Sequence, residues 1–234
     1  MKGGLRWRRA VLKLSGELLG GEEGPLDHGA LSFFAREIKE ARDAGAELAV
    51  VVGGGNIARG SALPHIPPTA GHAIGMLSTL INGVALREAL SEAGVPALLL
   101  SALPCQGVAE AVDPWRAREA LAAGQVVLLA AGTGNPFVTT DTAAVIRALA
   151  LDAEAVLKGS KVPGVFSADP SMDPQAELIL RLSHGEYLSR GLKVLDPAAV
   201  AIAAEHSLPI YVFQADREGG LLSALRGQGG SLIG

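Results

Sequence analysis

Leu48-Ala49-Val50-Val51-Val52, running straight into Gly53-Gly54-Gly55-Asn56-Ile57-Ala58-Arg59-Gly60, is the stretch on which the fold turns. An unbroken apolar run closed by glycine reads as a strand buried on both faces, as in parallel sheets. Consecutive glycines let the backbone pass close to a ligand and make φ > 0 available. Backbone N–H groups in such a turn point outward and bind anions, and Arg59 adds a planar cation suited to phosphate. A lone glycine cluster fits a ligand-free strand-to-helix turn equally well.

Two further segments repeat the arrangement. Ala10-Val11-Leu12, extended by Lys13-Leu14, ends at Ser15-Gly16, and Val126–Ala131 ends at Gly132-Thr133-Gly134-Asn135. In a parallel sheet all strands end on one edge, where ligands bind. Three glycine-rich loops on that edge favour a phosphate-lined crevice, with helix N-termini adding favourable charge. None is a P-loop, and the dinucleotide glycine spacing is absent. The loops therefore indicate nucleotide binding of another architecture.

Between these strands lie helical patterns. Leu31, Phe34, Ala35, Ile38 and Ala41 share one helix face ending near Gly45. Pro64, Pro67 and Pro68 mark a loop, and a long helix is expected from about Gly71 to Ala93, apolar round most of its circumference and so a candidate subunit interface. Ala97–Leu103 is expected as a strand, 114–123 as a helix, and a helix capped by Thr140 or Asp141 runs to about Leu151. Ala155–Leu157 is the next strand. After Lys158 the texture changes to an irregular lobe with a hairpin at Val165-Phe166. Helices at 184–190 and 197–206, strand Ile210–Phe213, a short helix opened by Gly219-Gly220 and an edge strand Ser231-Leu232-Ile233 complete the chain.

At 234 residues the chain suits one large domain or two small ones, rich in Val and Leu for strands and Ala and Leu for helices. A net charge of −4 without a long basic run argues against a nucleic-acid partner. The single cysteine, Cys105, excludes an intrachain disulfide and a cysteine-based metal site. No apolar run approaches a membrane span, which points to a cytoplasmic protein. Phosphoryl transfer needs cations on the moving group and in-line alignment. Lys13 is a candidate for one cation and Arg59 for another. Asp141 is a candidate to orient Lys13 or to hold a magnesium-bound water. Each has a plainer role open to it, as rim residue, surface charge or helix cap.

Lys13-Leu14-Ser15-Gly16-Glu17, Gly53-Gly54-Gly55-Asn56 with Arg59-Gly60, Gly75-Met76-Leu77, Thr133-Gly134-Asn135-Pro136-Phe137 with Thr139-Thr140-Asp141, Lys158-Gly159-Ser160-Lys161-Val162, Phe166-Ser167-Ala168-Asp169-Pro170 and Leu192-Lys193-Val194-Leu195-Asp196 occur in an order and spacing that resemble the bacterial uridylate (UMP) kinases of the amino-acid kinase superfamily. The resemblance runs nearly end to end. It implies a three-layer α/β/α sandwich with a mainly parallel central sheet, and a single domain over residues 1–234. Residues 1–158 would form the core and acceptor-binding part, and 159–234 the nucleotide-donor part. The implied reaction is ATP-dependent, magnesium-assisted phosphorylation of UMP to UDP in pyrimidine biosynthesis, with magnesium carried by ATP. A homohexamer with GTP and UTP as effectors is also implied.

By motif, Lys13, Leu14, Ser15, Gly16 and Gly55 would bind ATP phosphates, with Arg59 near the transferred group; Ser160, Phe166 and Asp169 would form the adenosine pocket. Gly54, His72, Thr133, Gly134, Asn135, Pro136, Phe137, Val138, Thr139 and Thr140 would bind UMP. Asp141 would organise the centre, with Asp196 close to it. Two departures stand out. His72 replaces an Asp that in the family accepts hydrogen bonds from the UMP ribose. A neutral imidazole has one acceptor nitrogen and a protonated one none, which points to lower or pH-sensitive UMP affinity. Pro163 replaces the usual Asp before the Gly-Val-Phe turn. These departures motivate an alternative reading, a nucleotide-binding regulatory relative with weak or altered kinase activity.

Overall fold

The computed structural model describes all residues except 1–3, 23, 59–63, 171 and 174. Strand β1 (Arg9–Leu14) leads through a short 3-10 turn to helix α1 (His28–Asp43), and β2 (Glu47–Val52) leads to α2 (Pro68–Glu92). There follow β3 (Ala97–Ser101), β4 (Glu110–Ala111), α3 (Pro114–Ala122), β5 (Val126–Ala130), α4 (Thr140–Ala150) and β6 (Ala155–Ser160). The rest is β7 (Val165–Phe166), β8 (Leu178–Ile179), β9 (Arg181–Leu182), α5 (His184–Ser189), α6 (Pro197–Glu205), β10 (Ile210–Gln214), α7 (Gly220–Leu225) and β11 (Gly230–Ile233).

Nine of these strands form one sheet in the order β4-β3-β5-β2-β1-β6-β10-β11-β9, while β7 and β8 pair as a separate antiparallel hairpin. Every neighbouring pair in the large sheet is parallel except β10 with β11. Helices cover both faces, giving the three-layer α/β/α sandwich. Strand alternation divides the core in two. Leu12, Leu14, Val50, Val52 and Leu128 meet α1, α2 and α7 on one face. Val11, Val51, Leu129, Val156 and Val212 meet α3, α4, α5 and α6 on the other. Burial of these Val and Leu side chains, each worth about 1.5–3 kcal/mol, is what holds the strand ends in place.

Several sequence-based expectations shift. Helix α2 starts at Pro68 because Pro67 is its N-cap and proline is tolerated in the first helical turn. The third strand stops at Ser101, whose hydroxyl donates to the Leu103 carbonyl at 2.7 Å, and the two-residue β4 extends the sheet beyond it. Strand β6 continues through Lys158 to Ser160. Residues 231–233 are not at the edge, since β9 pairs outside them. Helix α2 is also long and apolar enough, at mean hydropathy 1.2, to cross a membrane by length and composition alone. In the fold its buried Ser78, Thr79 and Asn82 serve the site loops described next.

Candidate active site

Period-two alternation turns Lys13 in β1 and Lys158 in β6 toward the face covered by α4, the face of Val11 and Val156. The two lysines are direct register partners on adjacent parallel strands. Like charges so placed repel, and Asp141, in the first turn of α4, lies between them. Its Oδ1 is 3.0 Å from Lys13 Nζ and 2.5 Å from Lys158 Nζ, with all three side chains buried. Burial raises the Asp141 pKa, but the two ammonium groups outweigh it, so the carboxyl is held below its ordinary value. Burial presses Lys158 down from 10.5 to about 8; Asp141 opposes this shift and Lys13 adds to it. Asp141 thus orients Lys13, and Lys158 is a second cation of the same centre, a role the sequence reading did not assign. The signal for it was its equal place with Lys13 along two strands that pair.

Asp196 lies next to this group. Its backbone N–H points to Asp141 Oδ2 at 3.4 Å, and its Oδ2 accepts hydroxyl bonds from Thr139 and Thr142, both at 2.7 Å. Its Oδ1 accepts from Ala198 N–H at 3.0 Å, capping α6. The cap of α4 is Thr139, which accepts from Thr142 N–H at 3.3 Å, and not Thr140 or Asp141. Asp141 is free of capping because its carboxylate is held by the lysines. Tyr187, fully buried, accepts from Leu195 N–H at 2.6 Å and so fixes the segment leading to Asp196.

A cavity of about 270 Å³ opens beside the centre, lined from α2 by Gly71, His72, Gly75, Met76 and Thr79, and from the β2 loop by Gly54, Gly55 and Ala58. The β5 loop adds Gly132, Thr133, Asn135, Phe137, Val138, Thr139 and Thr140. Of the residues assigned to the acceptor by motif, Gly134 and Pro136 do not line it. Gly134, at φ 81°, packs on Ala102, where a Cβ would lie 3.2 Å from the Ala102 carbonyl oxygen. Gly55, assigned to the donor, lines the same cavity as Gly54. The His72 ring packs on Phe137 with centroids 4.6 Å apart and the planes tilted by 60°, and Phe137 itself sits at φ 64°. Ala131, at φ 60°, is also left-handed, which costs a non-glycine residue roughly 1–2 kcal/mol. Such strain concentrates at functional loops.

The glycines at 53 and 54 turn out to serve close approach, and neither has positive φ. A Cβ on Gly53 would lie 2.8 Å from Gly16 N, and one on Gly54 would lie 2.8 Å from the Gly75 carbonyl oxygen. The first two loops therefore pack on each other, and the second packs on α2. Asn82, fully buried, donates to the Gly53 carbonyl at 2.7 Å and to Asn56 Oδ1 at 2.7 Å. Sequence reasoning missed this amide, since a polar residue in a long apolar helix has no periodic signature. Arg59 lies outside the described residues. Ser160 closes β6, and Phe166 and Asp169 belong to the β7–β8 hairpin and the turn after β7; none of the three lines the cavity. A larger groove of about 650 Å³ lies between α1 and α7, far from Asp141 in the topology and without any of the motif residues.

Among the described residues no group of three His, Cys, Asp or Glu side chains is placed to hold a metal. Magnesium usually binds through one or two carboxylates plus substrate phosphates. Asp141 and Asp196 fit that mode, with most of their oxygens already engaged by lysines, hydroxyls and a backbone N–H. Two buried cations on a shared carboxylate, beside a cavity with hydroxyl donors, can stabilise charge on a phosphoryl group in transfer.

The sequence pattern of the amino acid kinase family matches residues 8–214. The uridylate kinase of Pseudoalteromonas atlantica is 46% identical over 225 residues, covering 95% of this chain and 91% of the relative. That of Brucella suis is 44% identical over 232 residues, covering 98% and 97%. Among solved structures, the UMP kinase of Bacillus anthracis superposes with a TM-score of 0.93 at 33% identity, covering 97% of this chain and 96% of that one.

Proposed function

From the premise that the chain belongs to the amino acid kinase family, within its uridylate kinases, we propose the following division of labour for the transfer of the ATP γ-phosphoryl group to UMP. UMP occupies the 270 Å³ cavity, with its phosphate directed toward Lys13 and Lys158. ATP phosphates lie along Lys13 to Gly16 and Gly55, and the adenosine reaches Ser160, Phe166 and Asp169. Arg59 is assigned by motif to the transferred group. An α-phosphate oxygen of UMP attacks the γ-phosphorus, the bond to the β,γ-bridging oxygen breaks, and ADP leaves.

The attacking oxygen is ionised near neutral pH, so no general base is required. Asp141 is ill suited to that role, because its carboxylate is held ionised between two ammonium groups. Its function is to keep Lys13 and Lys158 side by side against their mutual repulsion. The cations offset the growing charge on the transferred group and the leaving ADP. Asp196 and its threonine partners hold the start of α6 against α4 and so fix the centre's outer wall. Asp141 and Asp196 would be the carboxylates to hold magnesium arriving with ATP, and the ion would supply positive charge to offset that of the phosphates.

The observation that carries this reading is the Lys13–Asp141–Lys158 group beside a cavity lined by Thr133, Thr139 and Thr140. An intact charge centre speaks against a purely regulatory relative. Magnesium as cofactor, a cytoplasmic setting, a homohexamer and response to GTP and UTP belong to the same proposal. For assembly, the support is that Leu77 and Ile81 of α2 are 50% and 46% exposed, an apolar face suited to a second copy. The test is ADP release from magnesium-ATP with UMP, CMP or a small carboxylic acid as acceptor. Strong preference for UMP is expected; equal rates would overturn the reading.

A further inference from the structure

Arg147 stands in the last turn of α4, and its guanidinium is partly buried with no carboxylate partner: among the described residues no ion pair involves it. Its Nη2 donates to the Gly132 carbonyl at 2.9 Å, and its buried Nε finds no acceptor. Burial lowers its pKa. A cation taken from water for a single neutral carbonyl is an expensive arrangement, and the carbonyl it holds is unusual. Gly132 and the residue before it, Ala131, are both left-handed, at φ 56° and φ 60°.

The same dipeptide is held from the opposite face of the sheet. Ala131 N–H donates to Thr79 Oγ1 at 2.6 Å, and the Thr79 hydroxyl in turn donates to the Met76 carbonyl at 2.8 Å. Thr79 belongs to α2, on the first face of the sheet, and Arg147 to α4, on the second. One side chain from each helical layer therefore grips a reversed turn at the end of β5. The chain leaving that turn supplies Thr133, Asn135 and Phe137–Thr140 to the cavity. An ordinary surface arginine at a helix C-terminus would be solvated and favoured by the helix dipole alone; this one is directed at a specific carbonyl.

We propose that Arg147 is a positioning residue for the acceptor: with Thr79 it locks the Ala131–Gly132 turn, and so sets the affinity and selectivity for UMP without touching either substrate. The inference rests on the reading of the cavity as the UMP site. It separates the two substrates, because the turn feeds the acceptor cavity while the donor motif, Gly55 and Arg59 of the β2 loop aside, lies on or next to β1, β6 and the β7–β8 hairpin.

The experiment measures KM for UMP and for ATP, kcat, UMP affinity by calorimetry, and thermal unfolding, for Arg147→Met, Arg147→Lys and Thr133→Val. Loss of a charge-assisted hydrogen bond predicts that R147M raises KM for UMP about tenfold, with KM for ATP within about twofold. R147K retains one ammonium donor and recovers most of the affinity. The preference for UMP over CMP falls in R147M and returns in R147K. Should R147M fail to fold, R147K alone decides, with KM for UMP about threefold raised and KM for ATP unchanged as the expected result. Unchanged KM for UMP, or equal rises for both substrates, overturns the proposal. T133V, on the cavity wall, separates the two levels. If T133V weakens UMP and the Arg147 variants do not, the clamp alone is wrong. If T133V also leaves UMP untouched, the cavity assignment falls and the clamp with it.

Discussion

On the side proposed for the acceptor, the loops that form the cavity are bonded to helices: Ala131 to Thr79, Gly132 to Arg147, and Asn56 to Asn82. The hairpin that carries the donor motif is built differently. Each of its strands is two residues long, and it joins the large sheet through the bond from Val165 N–H to Ser231 Oγ at 2.8 Å, the bond from Leu232 N–H to the Leu180 carbonyl at 2.9 Å and the buried Val165 side chain. Further out, Ser167 N–H donates to the Glu177 carbonyl and Glu177 N–H to Ser167 Oγ, both at 2.9 Å and both within the hairpin. The difference has a chemical sense. A monophosphate acceptor offers little surface, so its site must be organised in advance to hold it in line. A nucleoside triphosphate brings more contacts of its own.

Substitutions at four positions test that contrast, beginning with the centre between the two sides. Lys158→Met removes one of the two cations on Asp141, and kcat is expected to fall about 100-fold or more, as for loss of one oxyanion-hole donor. In the unmutated enzyme kcat/KM is expected to decline as pH rises through about 8, where Lys158 of the free enzyme loses its proton. Lys158→Arg moves that limb to higher pH. Stability runs the other way. The folded state holds this proton more weakly than the unfolded chain, so the cost is fully present below about pH 8 and is relieved between there and 10.5. A pH–rate profile set beside pH-dependent denaturation reads both signs.

On the hairpin, Phe166→Ala is expected to raise KM for ATP about tenfold, from lost base stacking of roughly 1–3 kcal/mol, and to leave KM for UMP unchanged. A rise in both would show that the two sides are not independent. Thr142→Val deletes one of the two hydroxyls on Asp196 Oδ2. About 1 kcal/mol of stability should be lost, seen as a melting temperature lower by roughly 2–4 °C, with Thr142→Ser close to the parent. The smallest effect is expected at His72. His72→Asp should tighten UMP about threefold and leave dUMP unchanged, since the new carboxylate accepts from a ribose hydroxyl. Kinetics with both nucleotides would reveal a purely steric role of the His72–Phe137 contact if UMP weakens instead.

Most of the architecture was legible because parallel strands are apolar runs, and six of the strands announce themselves so, three of them closed by a glycine-rich loop. The short strands β4 and β9 carry too few residues for a period to show. Helix α2 was begun too late because Pro67 and Pro68 read as breakers, although proline at a helix start obstructs nothing. Lys13 and Asp141 were legible from strand-end and helix-start positions. Lys158 was not, because its partnership with Lys13 depends on which strands neighbour each other, and β1 pairs with β6 across most of the chain. The glycines at 53 and 54 were right as landmarks and wrong in cause: they admit Gly16 and α2, not a left-handed turn. In the loop after β5 the left-handed residues are Ala131, Gly132, Gly134 and Phe137, and the two that are not glycine gave no warning in the sequence.

The central claim is that Asp141 organises the cations of transfer and takes no part in holding UMP. Its most direct test is Asp141→Asn, with turnover and UMP calorimetry on the same preparation. The expected result is a loss of kcat on the order of 100- to 1,000-fold, with UMP affinity within about threefold of the parent. Near-normal turnover would contradict the claim, and so would a variant that folds but no longer binds UMP.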